Sequence, residues 1–219
     1  MKKLNTFLCV IGAILLSSCI IIGNSVNGSG FVITESRAVS GVTAVRLAGI
    51  GDLRITIGEV ESLVIETDDN LMRNITTEQI GSTLIIDTHQ GLNLNPSKNL
   101  TYNLVLKELK GLELKGSGNV SAMNIHSNNL GITLNGVGNI TLGGESDSLT
   151  LELRGTGDIK ALNLRTSNAV VKLSGVGNVG VWAKEKLHVN LSGIGDVKYR
   201  GHPNLTTSVT GLGSVTPQY

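Results

Sequence analysis

LNGVGNITL at residues 134–142 and LRGTGDIKA at residues 153–161 share one frame: a leucine, a G-x-G pair, Asn or Asp, then apolar residues two apart. Five further stretches fit it: LAGIGDLRI from Leu47, LKGSGNVSA from Leu114, LSGVGNVGV from Leu173, LSGIGDVKY from Leu191 and VTGLGSVTP from Val209. From Gly116 onward the first glycines fall at 116, 136, 155, 175, 193 and 211, a period of 18 to 20 residues. Such a period marks stacked supersecondary units, each too small to bury its own apolar face.

Apolar positions alternate within a unit. Leu151 and Leu153 precede Gly155, Ile159 and Ala161 follow, and Glu152, Arg154 and Lys160 intervene. Ile132, Leu134, Ile140 and Leu142 keep this register one unit earlier, as do Val189, Leu191, Val197 and Tyr199 two units later. Period two means strand. Each unit therefore reads as a strand, a G-x-G-[ND] corner, a second strand and a polar reversal, such as residues 146–148, 166–168 or 184–186.

The corner residues are Gly49, Gly51 and Asp52; Gly116, Gly118 and Asn119; Gly136, Gly138 and Asn139; Gly155, Gly157 and Asp158; Gly175, Gly177 and Asn178; and Gly193, Gly195 and Asp196, with Ser214 ending the column. A sharp bend calls for positive φ, which Gly accepts freely and Asn or Asp better than most. Parallel rungs would stack the corners about 4.8 Å apart, letting each Asn or Asp bond its neighbour's backbone. The order Asn139, Asp158, Asn178, Asp196 would hold like charges ~9.6 Å apart. The expected fold is all-β: a right-handed parallel β-helix, or β-solenoid, with 18–20 residue rungs. A left-handed hexapeptide helix also has coils of about 18 residues, but the variable unit length and the glycine pair argue against it.

The repeat also disposes of a nucleotide loop. GVGNVG at residues 175–180 matches G-x-G-x-x-G, yet Gly180 corresponds to Ser121, Thr141, Lys160 and Lys198, and no helical pattern follows. Neither a nucleotide nor another cofactor is expected. Charge is nearly balanced, 18 Lys plus Arg against 17 Asp plus Glu, which speaks against nucleic acid as partner.

Between Asp52 and Leu114 the repeat lapses, but strand patterns persist at residues 53–57, 63–67, 84–88 and 100–106. Residues 71–80 allow a short helix, against which Thr76 and Thr77 weigh. This less regular N-terminal β portion is expected to cap the first edge of the stack, and Pro217 to stop pairing at the other.

Lys2 and Lys3, the apolar run over residues 7–16 and the small residues Ser17 and Ser18 read as an export leader. Leu16-Ser17-Ser18-Cys19 resembles the bacterial lipobox, which implies a signal peptide at residues 1–18 and a diacylglycerol on Cys19. An uncleaved anchor running on through Ile22 would fall short of the ~20 residues a bilayer needs. Residues 19–30 then form the lipid anchor and a linker, GNSVNGSG at residues 23–30, and residues 31–219 form a single domain. Cys9 and Cys19 are the only cysteines, so the mature head holds no intrachain disulfide. Ile20, where an inner-membrane retention signal would resemble Asp, points to the outer membrane.

The segments VSGVTAVRLAGIGDLRI (39–55), ESLVIETDDNL (61–71), GLNLNPSKNL (91–100) and LKGLELKGSGNV (109–120), with the later GVGN and GIGD corners, resemble a bacterial family. That family is called putative auto-transporter adhesin, head GIN domain, and the resemblance spans about residues 39–217. It implies a secreted or surface β-helical protein without a defined ligand, so no binding residues are carried over. No translocator follows Tyr219, so a lipoprotein route is expected in place of autotransport.

Catalysis has one candidate pair. Glu113 and Glu152 share a repeat column with Thr133 between them, which places them ~9.6 Å apart, near the wide limit for glycosidase carboxylates. With Lys115 and Arg154 beside them, a solvated face of mixed charge is the simpler reading. His89, His126, His188 and His202 lack ligand spacing, and the corners supply too few carboxylates for calcium, so no metal is expected. Trp182, the only tryptophan, offers a surface for stacking on a sugar. The function expected is a non-enzymatic cell-envelope lipoprotein, an adhesin head that binds a glycan or surface protein. The alternatives are a structural scaffold of the envelope and a carbohydrate-active β-helix enzyme.

Overall fold

The computed structural model describes residues 24–218. The leader, Cys19 and Tyr219 lie outside the described residues, and with them the signal-peptide and lipid-attachment readings.

The chain runs through β1 (Asn24–Asn27), β2 (Val32–Arg37), β3 (Ala44–Leu47), β4 (Asp52–Ile57), β5 (Ser62–Asp68), α1 (Asp69–Met72), β6 (Ile75–Ile80), β7 (Thr83–Thr88), β8 (Leu92–Asn95) and β9 (Thr101–Leu106). It continues through β10 (Gly111–Leu114), β11 (Val120–Leu134), β12 (Ile140–Leu153), β13 (Ile159–Leu173), β14 (Val179–Leu191), β15 (Val197–Arg200), β16 (Asn204–Val209) and β17 (Val215–Pro217).

From Gly111 to Pro217 these strands wind a parallel β-solenoid of about five turns. The aliphatic columns stack in register. Leu47, Leu114, Leu134, Leu153, Leu173 and Leu191 follow one another across the rungs, as do Leu53, Val120, Ile140, Ile159, Val179 and Val197 on the opposite wall. Every one of these side chains is at most 1% exposed. The walls of this coiled sheet are thereby zipped from within by aliphatic ridges rather than by aromatic packing.

The polar reversals are made within strands. Residues 146–148 and 166–168 lie inside continuous strands, because β11 to β14 each carry one rung's second strand through a bend into the next rung's first strand. The bend is pinned by side chains. Ser127, Ser146 and Thr166 stack on one another, and each hydroxyl donates to the carbonyl two residues on, at 2.9–3.0 Å. Register slips of one residue, and of three between Ala161 and Arg165, beside these bends absorb the variation in rung length.

The N-terminal portion holds a rung assembled out of order. β3 and β4, with the corner between them, pair in parallel with β10 and β11 on one side and with β7 and β9 on the other. Residues later in the chain thus form the layer beneath residues 44–57. Antiparallel partners then cover this layer: β6 on β7, β5 on β9, and β2 on β5. The short helix that residues 71–80 allow is reduced to the single turn α1, which starts earlier, and Ile75–Ile80, where Thr76 and Thr77 weigh against helix, is strand β6 paired with β7. At the far end Pro217 pairs with Tyr199 and blocks only the end of β17, leaving the outer edge of β16 without a partner among the described residues.

Candidate functional site

Three sets of side chains lie in columns on the surface: the corner ladder, the charged column on one wall and a polar groove along the bends.

At the corners the middle residues of the G-x-G pairs bridge in parallel from Ile50 through Ser117, Val137, Thr156, Val176 and Ile194 to Leu212. The two glycines have separate reasons. The second takes positive φ, +134° at Gly157 and +141° at Gly177. The first does not; a Cβ on Gly155 would instead collide with the carbonyl oxygen of Gly136 on the rung before. The expectation of positive φ throughout the corner is corrected accordingly, and Asn or Asp at the next position has ordinary φ as well. Their role is to bond the adjoining rung. Asn119 N and Nδ2 donate to Asp52 Oδ1 at 2.9 and 3.1 Å, Asn139 Nδ2 to Asn119 Oδ1 at 3.0 Å, and Asp158 N to Asn139 Oδ1 at 3.2 Å. Asn178 N and Nδ2 donate to Asp158, Asp196 N to Asn178, and Ser214 N and Oγ to Asp196. An Asn side chain both gives and receives here, whereas an Asp side chain only receives, so an Asn above Asp52 and Asp158, and a Ser above Asp196, turn repulsion into a bond. The Ser214 hydroxyl, followed by its backbone amide, holds the Asp196 carboxyl below its usual range.

The charged column runs Arg46, Glu113, Thr133, Glu152, Lys172, Asn190 and Ser208. Glu113 and Glu152 therefore stand two rungs apart, and each has a cation of its own. Arg46 Nε reaches Glu113 at 2.6 Å; Lys172 Nζ and Arg154 meet Glu152 at 2.9 and 2.5 Å. The Lys172 hydrogen bond, with Arg154 adding to it, holds the Glu152 carboxyl below its usual range. A general acid needs the opposite shift.

The bends bring together residues that the glycine repeat does not align. His126, Glu145, Arg165, Trp182 and Arg200 form one column, and the Arg165 guanidinium lies 4.8 Å from the Trp182 ring centre. Beside it an open groove of about 300 Å³ is lined by His126, Glu145, Asp147, Arg165, Ser167 and Lys184, among others. Of this column the sequence marks only Trp182 and, as a histidine without ligand spacing, His126, since the slips near Ala122, Thr141 and Ala161 shift the bends relative to the corners. His89, His188 and His202 lie apart from this groove, and among the described residues no three His, Cys, Asp or Glu side chains cluster as metal ligands.

A fourth constellation belongs to the N-terminal cap. Asp68, fully buried, accepts hydrogen bonds from Ser97 Oγ at 2.5 Å, Ser97 N at 2.9 Å and Gly30 N at 2.8 Å. The Ser97 hydroxyl chiefly holds this carboxyl below its usual range. Tyr102, also buried, donates from its hydroxyl to Ile50 O at 3.1 Å, and burial pushes its phenol up. Both tie loops to the solenoid's first layer.

A parallel solenoid bearing polar columns and a glycine–Asn/Asp seam is the architecture to set beside known proteins. The model for the family described as putative auto-transporter adhesin, head GIN domain, matches residues 41–203, and the chain belongs to that family. The fold is similar to that of a putative adhesin from Bacteroides fragilis NCTC 9343, at 22% identity over 88% of this chain and 100% of that one, with a TM-score of 0.73. A putative lipid binding protein from Parabacteroides distasonis ATCC 8503 is similar at 22% identity and TM-score 0.58, over 90% of this chain and all of that one. A putative adhesin from the same strain reaches 18% identity and TM-score 0.57, over 89% of this chain and all of that one. No curated protein matches the chain. The family description carries adhesion and indicates no enzymatic activity.

Proposed function

We propose that the protein is a non-enzymatic cell-envelope lipoprotein whose solenoid head binds a glycan on a neighbouring surface. The observation that carries this reading is the groove along the bends. Its carboxylates, guanidinium, ammonium and hydroxyls alternate donors with acceptors at the rung spacing, beside the partly exposed Trp182. Sugars are recognised by such mixtures of hydrogen bonds and an aromatic face. Rigid walls lower the ordering cost of binding. The lipobox at Leu16-Ser17-Ser18-Cys19 supplies the membrane attachment in this reading, with outer-membrane placement following from Ile20.

Glycan-array binding by the protein tests it. Selective binding that falls at least tenfold in Arg165→Ala and Glu145→Ala, with unchanged melting, is the expected result. Binding that is absent, or indifferent to both substitutions, would overturn it. Mass spectrometry of the N-terminus after membrane fractionation tests the lipid separately.

A further inference from the structure

The two ends of the stack are finished differently. At the N-terminal end, β6, β5 and β2 cover the layer formed by β7 and β9. At the C-terminal end, among the described residues, β16 pairs only with β14, and β17 only with β15. Leu205, Thr207 and Val209 continue the inward columns of Leu187, Val189 and Leu191. Their predecessors are at most 1% exposed, yet Leu205 is 37% and Val209 46% exposed.

Open strand edges are commonly guarded by lysine, proline or a bulge. Here residues 201–219 contain no Lys, Arg, Asp or Glu, whereas residues 184–200 contain six. β16 itself contains no proline and is paired without a register slip. A neutral edge meets no charge repulsion from its own copy. A head-to-tail filament would need the other end of the stack free, and that end is covered. The remaining closed solution is a two-fold, tail-to-tail pair.

We propose that the C-terminal rung is an interface for a second copy of this chain, formed by antiparallel pairing of β16 with its counterpart. The register follows from the pleat and from pairing the whole inward set. Residues opposite each other in an antiparallel pair share a face, so registers two residues apart all keep the inward set inward; the one that pairs all three inward residues puts Thr207 opposite Thr207 of the other copy and Leu205 opposite Val209. The end face of one rung offers on the order of 450 Å² per copy, from strand rise and sheet spacing, which places the pair in the weak class of specific interfaces. Membrane confinement would raise its occupancy by effective concentration.

Opposed Cα atoms in such a pair lie about 4.5–5.5 Å apart, within disulfide reach. The full chain with Thr207→Cys, expressed in cells and mildly oxidised, is therefore expected to give a disulfide-linked dimer on a non-reducing gel. Thr206→Cys, one residue away and off the axis, is expected to crosslink at least fivefold less, and adding Leu205→Lys to Thr207→Cys to abolish most of the dimer. The unsubstituted chain measures any background from Cys9 or Cys19. Retained protease resistance shows that each variant is folded. Equal crosslinking at 206 and 207, no dimer from a folded Thr207→Cys chain, or adducts of other masses showing a different partner would each overturn the proposal.

Discussion

The solenoid from Gly111 to Pro217 and the N-terminal portion before it use one architecture with opposite bookkeeping. In the solenoid each rung rests on the one made immediately before it, so contacts close over 18 to 20 residues and the pattern repeats in the sequence. In the N-terminal portion the layer beneath β3 and β4 comes from β7 and β9, and its cover from strands before and between them. Regularity makes the first region extendable; the second stops the stack by antiparallel pairing that no further parallel rung can continue.

The largest effect that would break this contrast is expected at the corner. Gly157→Val must place a branched side chain at φ +134° and against the carbonyl of Gly138, costing at least ~3 kcal/mol in urea unfolding. Gly155→Val should cost a comparable amount through collision alone, whereas Gly81→Ala, in the N-terminal hairpin with open space around it, should cost about 1 kcal/mol. Similar losses at Gly155 and Gly81 would remove the distinction.

Core truncation comes next. Leu153→Ala opens a cavity between rungs and should cost about 2–5 kcal/mol. Tyr102→Phe, which keeps the packing and deletes only the hydroxyl bond to Ile50, should cost about 1 kcal/mol.

Acid separates the regions more gently. Asp68 in the cap and Glu152 and Asp196 in the solenoid all have folded-state pKa values depressed by their hydrogen-bond partners. Their contribution is complete above the ordinary values of 3.8 for Asp and 4.5 for Glu and is lost as pH falls through the lower folded values. Unfolding midpoints should be flat from neutral pH to about 5 and fall below about 4. Asp68→Asn and Asp196→Asn should each flatten that fall. A chain that loses stability instead near pH 6 would contradict the assignment.

The smallest effect is a sharpening one. Thr67 Oγ1 is buried with no hydrogen-bond partner among the described residues. Thr67→Val should leave stability unchanged or raise it by up to about 1 kcal/mol, read as a small upward shift in melting temperature.

These regions also differ in how far residues announce structure. Leu134, Leu153 and Leu173 were legible as an inward column because period-two alternation and the glycine frame agree, and all three are fully buried. The pairing of β7 and β9 beneath β3 and β4 was not legible, since parallel pairing across an insertion leaves no periodic mark. Alignment on glycine placed Glu113 and Glu152 in one column, but their cations Arg46 and Lys172 emerge only when neighbouring rungs are set side by side. The groove column was hidden for a local reason. Slips beside each bend put His126, Glu145, Arg165 and Trp182 in line although their distances from the preceding corners differ. Asp68 and Ser97 are 29 residues apart, and α1, β6, β7 and β8 lie between them, so no local pattern in the sequence marks their contact.

The central claim, that the corners form one seam along a parallel stack, is tested most directly by pulsed electron-spin distances. Spin labels would be placed at Ser117 paired in turn with Val176, Ile194 and Leu212, in a chain whose Cys9 and Cys19 are replaced by serine. Those positions lie three, four and five bridges along the seam, so the account predicts narrow distributions near about 14, 19 and 24 Å, growing by one strand spacing per rung. Broad distributions, or distances that fail to grow in that order, would contradict it.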